Sequence, residues 1–162
     1  MSANTKHETQ IVAPEGLPVI EIKREFDAPV DRLFRAWVDP VLFAQWVGPR
    51  SIDTRVENWD CSTGGRYRYS AGREGEEIAR FYGSFHEVRE NRRIVQTFTY
   101  EGWPDGVALE IMTFESLPDG RSRIHSVSVG KSVEERDAMV ASGMETGIVE
   151  GYEKLDELLA RA

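Results

Sequence analysis

Glu110 is a carboxylate that the strand pattern places among apolar and aromatic residues. Residues 107–117 alternate, so Glu110 lies on one face and Leu109 and Ile111 on the other. Both faces are otherwise apolar, and alternation alone leaves open whether Glu110 faces the interior or the solvent. A carboxylate in an apolar interior must be paired or shifted towards its neutral form. If it faces inward, Glu110 is a candidate for ligand binding or proton transfer.

Other predicted strands supply polar partners for this carboxylate. Arg24 and Gln96 are two of them. Buried phenols generally find hydrogen-bond partners, and the polar group of a ligand can be one. The phenols concerned are Tyr67, Tyr69, Tyr100 and Tyr152. Hydroxyls on an otherwise apolar surface favour an amphipathic small molecule as the ligand.

Standard catalytic and metal-binding signatures are missing. The sequence has no GxSxG, no GxxxxGK[ST], no HExxH and no CxxC. Cys61 is the only cysteine, which excludes an intramolecular disulfide and gives little support to nucleophilic catalysis. His86 and His125 fall on predicted strands, and two histidines do not make a metal site. We therefore predict no catalytic residue, no metal site and no cofactor.

The elements that position these residues begin after a polar N-terminal segment. Residues 1–17 are aperiodic and predict a flexible tail, followed by a single domain over 18–162. Residues 19–26 alternate as a half-buried strand whose inner face is interrupted by Arg24. A proline-started helix follows from Pro29, and a second short helix is predicted over 41–47.

From Ser51 to Val129 the period changes to two. Glycine-rich and Pro-Asp-Gly turns separate the apolar runs, so consecutive strands should be antiparallel neighbours. The predicted strands cover 51–57, 66–70, 77–88, 93–100, 107–117 and 121–129.

The C-terminal segment predicts a short helix, a break near Gly143 and then a long amphipathic helix in the stretch 142–162. Capping-box patterns start at Ser132 and again at Ser142. Gly143, Gly147 and Gly151 share one helical face, and an interior glycine costs about 1 kcal/mol relative to alanine. We expect this face to lie on the protein's own sheet, either in tight packing or as the roof of a cavity.

These elements predict an α+β helix-grip fold. A curved antiparallel sheet of about six or seven strands wraps around the long C-terminal helix, with two short helices after the first strand. Such a sheet and one straight helix leave space between them, which predicts a ligand cavity. Aromatic and Met stripes at helical spacing also pack as ordinary core. The residues predicted to line the cavity are Trp46, Tyr67, Tyr69, Gln96, Phe98, Tyr100, Glu110, Met112, Phe114, Met144, Ile148 and Tyr152.

Six segments together carry a resemblance to a known family. They are FDAPVDRLFRAWVDP (26–40), FAQWVGPR (43–50), GGRYRY (64–69), RIVQTFTYEG (93–102), LEIMTFE (109–115) and SVEERDAMVASGMETG (132–147). In these segments the chain is similar to the START-like, or SRPBCC, superfamily, and within it to bacterial single-domain proteins of the Aha-type activator of heat-shock-protein ATPase homologue-like family. The resemblance implies the fold more firmly than a reaction, because the matching segments are mostly architectural.

Three functions follow as expectations. The first is binding of a small hydrophobic or aromatic ligand, such as a lipid, between sheet and helix. The second is an enzyme of the cyclase, hydrolase or dehydratase kind with Glu110 as general acid or base. The third, a chaperone ATPase co-factor with a role in the stress response, is implied by the family resemblance alone.

Charge and composition limit the partners. The 162 residues carry a net charge of −8, which disfavours nucleic acid as a partner. The sequence contains no run of 18 apolar residues that could span a membrane, and its N-terminus lacks the apolar core of a signal peptide. We therefore expect a cytoplasmic protein. A homodimer through strand edges or through Trp59 and Trp103 is compatible with the sequence.

Overall fold

The computed structural model describes residues 7–161, so residues 1–6 of the predicted tail lie outside the described residues. The described part contains one eight-stranded sheet and four α-helices. The elements are β1 (Gln10–Val12), β2 (Val19–Phe26), α1 (Val30–Val38), α2 (Pro40–Trp46), β3 (Asp53–Trp59), β4 (Arg66–Arg73), β5 (Glu76–Arg89), β6 (Arg93–Tyr100), β7 (Ala108–Ser116), β8 (Ser122–Val129), α3 (Val133–Ala141) and α4 (Met144–Ala160).

The sheet is a curved antiparallel meander, which confirms the α+β helix-grip prediction. Its order is β1-β2-β8-β7-β6-β5-β4-β3, so β3 to β8 follow one another and β2 closes onto β8. Tight turns with left-handed residues, such as Glu74-Gly75 between β4 and β5, allow this connection. The sheet has eight strands because β1 adds to the seven that the sequence pattern predicts.

Strand β1 corrects the predicted flexible tail. Gln10–Val12 pair with Glu21–Lys23, so these three residues are part of the sheet. The guanidinium of Arg136 donates to the carbonyl oxygen of Pro14 at 2.8 Å and ties the following segment to α3. A short strand of this kind satisfies the backbone edge of β2 but is too brief to produce a recognisable alternation.

The two short helices pack their aromatic residues against the inner face of the sheet. The carboxylate of Asp39 accepts a hydrogen bond from the backbone N–H of Val41 at 2.9 Å and caps α2. Phe34 of α1 contacts Phe114 of β7 with ring centroids 5.0 Å apart. The core therefore lies between α1, α2, α4 and the concave face of the sheet.

The start of the long helix differs from the prediction. Ser132 caps α3 as expected, because its hydroxyl accepts from the N–H of Glu135 at 3.1 Å. Ser142 does not cap α4, and its hydroxyl instead donates to the carbonyl of Met139 at 2.6 Å. Gly143 has a φ of +87°, a conformation that glycine adopts without strain, and it separates the two helices.

The glycines of α4 face a different surface from the one predicted. A Cβ at Gly151 would lie 3.0 Å from the carbonyl oxygen of Trp46, and one at Gly147 would lie 3.5 Å from Pro49 Cδ. They therefore face the segment after α2 and not the sheet. The inward side of α4 is formed by Tyr152 and Leu155.

Among the described residues, no helix combines the length and apolarity needed to cross a bilayer.

Candidate ligand-binding site

Glu110 lies on the concave face of the sheet, which resolves the alternative that the sequence left open. The register places it between Gln96 of β6 and Ser128 of β8. Gln96 Nε2 donates to Glu110 Oε1 at 2.8 Å. Loss of solvent around the carboxyl raises its pKa to about 6, and the hydrogen bond from Gln96 opposes this shift. A half-buried carboxyl with this pKa changes charge near neutral pH.

Three phenols surround this carboxyl. Tyr67 Oη donates to the carbonyl oxygen of Thr97 at 2.5 Å, and Gln96 Nε2 lies 3.3 Å from the same hydroxyl. Within residues 7–161, no protein group hydrogen-bonds to the hydroxyls of Tyr69 and Tyr152. Burial raises the pKa of all three phenols well above the usual value, and the negative charge of Glu110 raises them further. They remain neutral donors at physiological pH.

An aromatic row continues from these phenols towards the solvent. Tyr69 and Phe81 have ring centroids 5.2 Å apart, and Phe81 stacks on Phe98 at 5.3 Å. Phe81 also contacts Tyr100, whose surface is 45% exposed. Gly102 leaves room for this ring, because a Cβ there would lie 2.3 Å from it and would displace it. The row is therefore buried at Tyr67 and open at Tyr100.

The remaining predicted site residues divide between two environments. Met144 and Ile148 of α4 are half-buried next to the core. Trp46 is a core residue, and its indole N–H donates to the carbonyl oxygen of Ala36 at 2.8 Å. Met112 and Phe114 are also buried. The structure thus brings Gln96, Glu110 and the phenols together and places Trp46 and Phe114 in the packed end.

Sequence reasoning missed two groups on the same face. Ser126 and Ser128 of β8 are buried on the concave side, and Ser128 is the cross-strand neighbour of Glu110. Their signal was a face of β8 on which Ile124 stands among three serines at alternate positions, Ser122, Ser126 and Ser128. Phe81 of β5 was also missed, because bulges in the flanking ladders disturb the alternation.

Arg24 is not a partner of Glu110, although the sequence allowed it. Its guanidinium binds Asp156 of α4 through two hydrogen bonds of 2.7 and 2.5 Å and lies over the Phe26 ring. The Arg24 side chain is only 1% exposed. The positive charge is therefore used to hold α4 on the sheet.

Other reactive side chains lie apart from this cluster. Desolvation raises the pKa of the Cys61 thiol to about 12, so it is a poor nucleophile. His125 Nε2 lies 2.8 Å from Glu21 Oε1, and His86 is exposed. In the part of the chain that the structure describes, no three residues of His, Cys, Asp or Glu are grouped to hold a metal ion.

Two surface depressions lie elsewhere, each of about 380 Å³. Neither is lined by a predicted site residue, so the cavity predicted from the sequence is not one of them. The second depression includes Trp59, which is half-buried against the core and whose indole N–H donates to the carbonyl oxygen of Val38 at 2.8 Å. Trp59 is therefore not the exposed aromatic expected for a dimer surface, whereas Trp103 is 49% exposed.

Comparison with known proteins identifies the family. The model of the family described as "Activator of Hsp90 ATPase homolog 1-like protein" matches residues 27–160. The uncharacterized protein C1711.08 of Schizosaccharomyces pombe is 26% identical over 115 residues, which are 70% of this chain and 30% of that protein. The match therefore spans less than a third of the length of this curated relative.

Solved structures share the fold over nearly the whole chain. A protein of Rhodobacter sphaeroides is 24% identical with a TM-score of 0.86, over 96% of this chain and 100% of the other. A protein of Arthrobacter aurescens is 26% identical with a TM-score of 0.85, over 94% and 92%. One of Mycobacterium smegmatis is 25% identical with a TM-score of 0.84, over 95% and 98%. Because the family model covers most of the sequence and these neighbours share its helix-grip fold, the chain belongs to the activator of Hsp90 ATPase homolog 1-like family of the SRPBCC superfamily.

Proposed function

We propose that this protein binds a small hydrophobic or aromatic molecule between the concave face of the sheet and α4. The observation that carries the proposal is Glu110, a carboxyl on an aromatic-lined inner face whose single hydrogen bond among residues 7–161 comes from Gln96. A polar group in this setting costs stability unless something else pairs with it. Binding sites commonly combine an apolar wall with a few such groups.

The aromatic row supplies the apolar wall. Phe81 and Phe98 are half-buried, and so are Met144 and Ile148 on the helix that faces the sheet. Covering apolar surface contributes about 25 cal/mol per Å², so a ligand that covers these side chains would be stabilised by burial. We expect the ligand to enter from the Tyr100 end, where the aromatic row is open. The half-buried side chains of α4 would then rearrange to make room for it.

Titration of the purified protein tests this function. A panel of lipids, polyphenols and aromatic metabolites is added in thermal-shift and calorimetric assays, and co-purified small molecules are identified by mass spectrometry. We expect at least one class to raise the melting temperature. Glu110→Gln should lower the affinity for a ligand of that class. Glu115→Gln, on the opposite face of β7, should leave the affinity unchanged. If no compound raises the melting temperature and none co-purifies, the proposal is wrong.

A second function has one specific observation in its favour. The pKa of Glu110 is about 6, which suits a general acid or base near neutral pH, and neutral phenols lie beside it. An enzyme of the cyclase, hydrolase or dehydratase kind would use Glu110 to move a proton. Glu110→Gln should then abolish turnover while ligand affinity changes less, and a fully active variant would rule out this role.

A further inference from the structure

On the basis of the binding function proposed above, we infer that the ligand is a neutral or cationic aromatic molecule carrying a hydroxyl or amine group, and that carboxylates are excluded. The groups that select it are Glu110, Tyr69 and Tyr152. Within the described protein, only one oxygen of Glu110 accepts a hydrogen bond, and neither phenol hydroxyl makes one. Each of them lies on the interior surface between sheet and helix.

Glu110 needs a hydrogen-bond donor. Its Oε1 accepts from Gln96, and within residues 7–161 its Oε2 has no protein partner. An ionised carboxylate only accepts hydrogen bonds, and Glu110 is ionised above about pH 6. A ligand that pairs with Oε2 must therefore present an O–H or N–H group.

Tyr69 and Tyr152 supply the complementary donors. Tyr69 is 8% exposed and Tyr152 is 6% exposed, yet neither hydroxyl has a partner in the described part of the chain. Neither hydroxyl oxygen is among the fully buried polar atoms without a partner, so both keep some contact with solvent and can donate to a ligand that reaches them. The charge of Glu110 raises the pKa of both hydroxyls, so all three groups share one interior surface. A ligand hydroxyl can donate to Glu110 and accept from a phenol at the same time.

A ligand that carries a carboxylate would be repelled by the charge of Glu110. It would accept from the phenols, but its negative charge would lie close to that of Glu110. Among residues 7–161, no cation contributes to the pKa shift of Glu110, and the cation that acts on Tyr152 is Arg24, which is already bound to Asp156. Like charges at a desolvated site repel strongly, so carboxylates should be rejected.

A matched pair of ligands tests the selection. Calorimetric titration at pH 7.5 compares 2-naphthol with 2-naphthoate, which share a ring system and differ in the polar group. We expect naphthol to bind at least about tenfold more tightly. Glu110→Gln should reduce this ratio to about threefold or less, chiefly because naphthoate binds better. Tyr69→Phe and Tyr152→Phe should each lower the affinity for 2-naphthol several-fold.

Control variants separate this effect from a general loss of structure. Tyr82→Phe and Glu115→Gln lie on the outer face of β5 and β7 and should leave both affinities unchanged. Equal binding of the two compounds by the unaltered protein would overturn the inference while the proposed function stands. If neither these compounds nor any of the wider panel bind, both the inference and the proposed function are wrong. The ratio in the unaltered protein decides the question even if a variant fails to fold.

Discussion

At the scale of single residues, Glu110 is a position where stability is lost. Its carboxyl is half-buried, no cation offsets the desolvation, and its pKa rises from 4.5 to about 6. A residue that serves only packing would not need this charge. Costs of this kind are typical of functional sites, where the polar group is kept for the ligand and not for the fold.

The pKa of Glu110 predicts how stability depends on pH. The folded protein holds this proton more tightly than the unfolded chain does, so the cost is absent below pH 4.5, grows between pH 4.5 and 6, and is complete above pH 6. Glu110→Gln should therefore raise the free energy of unfolding by up to about 2 kcal/mol at pH 8 and leave it nearly unchanged at pH 4. Urea unfolding at both pH values measures this.

The matched control for that experiment is Glu115→Gln. Glu115 pairs with Arg123 on the outer face, so removing its charge should not stabilise the protein at pH 8. If Glu110→Gln lowers stability equally at both pH values, the interpretation of Glu110 as a desolvated carboxyl without a counter-charge is wrong.

At the scale of elements, α4 is held by close backbone approach on one side and by an ion pair on the other. Gly147 and Gly151 lie against the segment after α2, and only Gly151 approaches backbone atoms closely. Asp156, one turn further on, binds Arg24 of the sheet. The two glycines therefore have different reasons for being present.

Alanine substitutions at the two glycines should have opposite effects. A Cβ at Gly147 meets its nearest atom at 3.5 Å, an ordinary contact, so Gly147→Ala should gain helix propensity of about 1 kcal/mol. A Cβ at Gly151 lies 3.0 Å from the Trp46 carbonyl oxygen, so Gly151→Ala should lower stability. Thermal unfolding of both variants measures the difference. Stabilisation by both would mean that the helix is free to move away from the segment.

Removing one member of the ion pair should be costly. Asp156→Asn leaves the Arg24 guanidinium buried without a counter-charge, and we expect a loss of about 3 kcal/mol, at the low end of the usual range because Asp156 is partly exposed. The double variant Arg24→Met with Asp156→Leu should recover much of this loss. Urea unfolding measures both variants.

An exposed ion pair on the same helix provides the comparison. Glu157 pairs with Arg50 at the surface, so Glu157→Gln should leave the unfolding midpoint nearly unchanged. If Asp156→Asn is equally mild, Arg24 does not depend on Asp156 and the ion pair does not hold the helix on the sheet.

At the scale of the whole molecule, helices and sheet share one core. Trp37 of α1 contacts Trp46 of α2, Phe114 of β7 and Tyr152 of α4. None of these four elements can therefore separate without exposing aromatic surface that the others bury. We expect a single cooperative transition in which tryptophan fluorescence and far-ultraviolet circular dichroism change together. An earlier fluorescence transition would show that the helices unfold before the sheet.

The sequence by itself determined the elements, their order and the fold class. Period-two alternation and turn residues predicted seven of the eight strands, because these signals are local and act within a few residues. The aromatic segments and the glycine-containing helix also pointed correctly to the family. Strand β1 escaped detection because three residues contain too little alternation.

Only the tertiary structure decided which face of each element is inside. Both faces of β7 are apolar in sequence, and cross-strand register with Gln96 and Ser128 is what turns Glu110 inward. Likewise, Arg24 could pair with either carboxylate until α4 brought Asp156 to it. Such choices depend on contacts between residues far apart in the chain, and a local pattern contains no information about them.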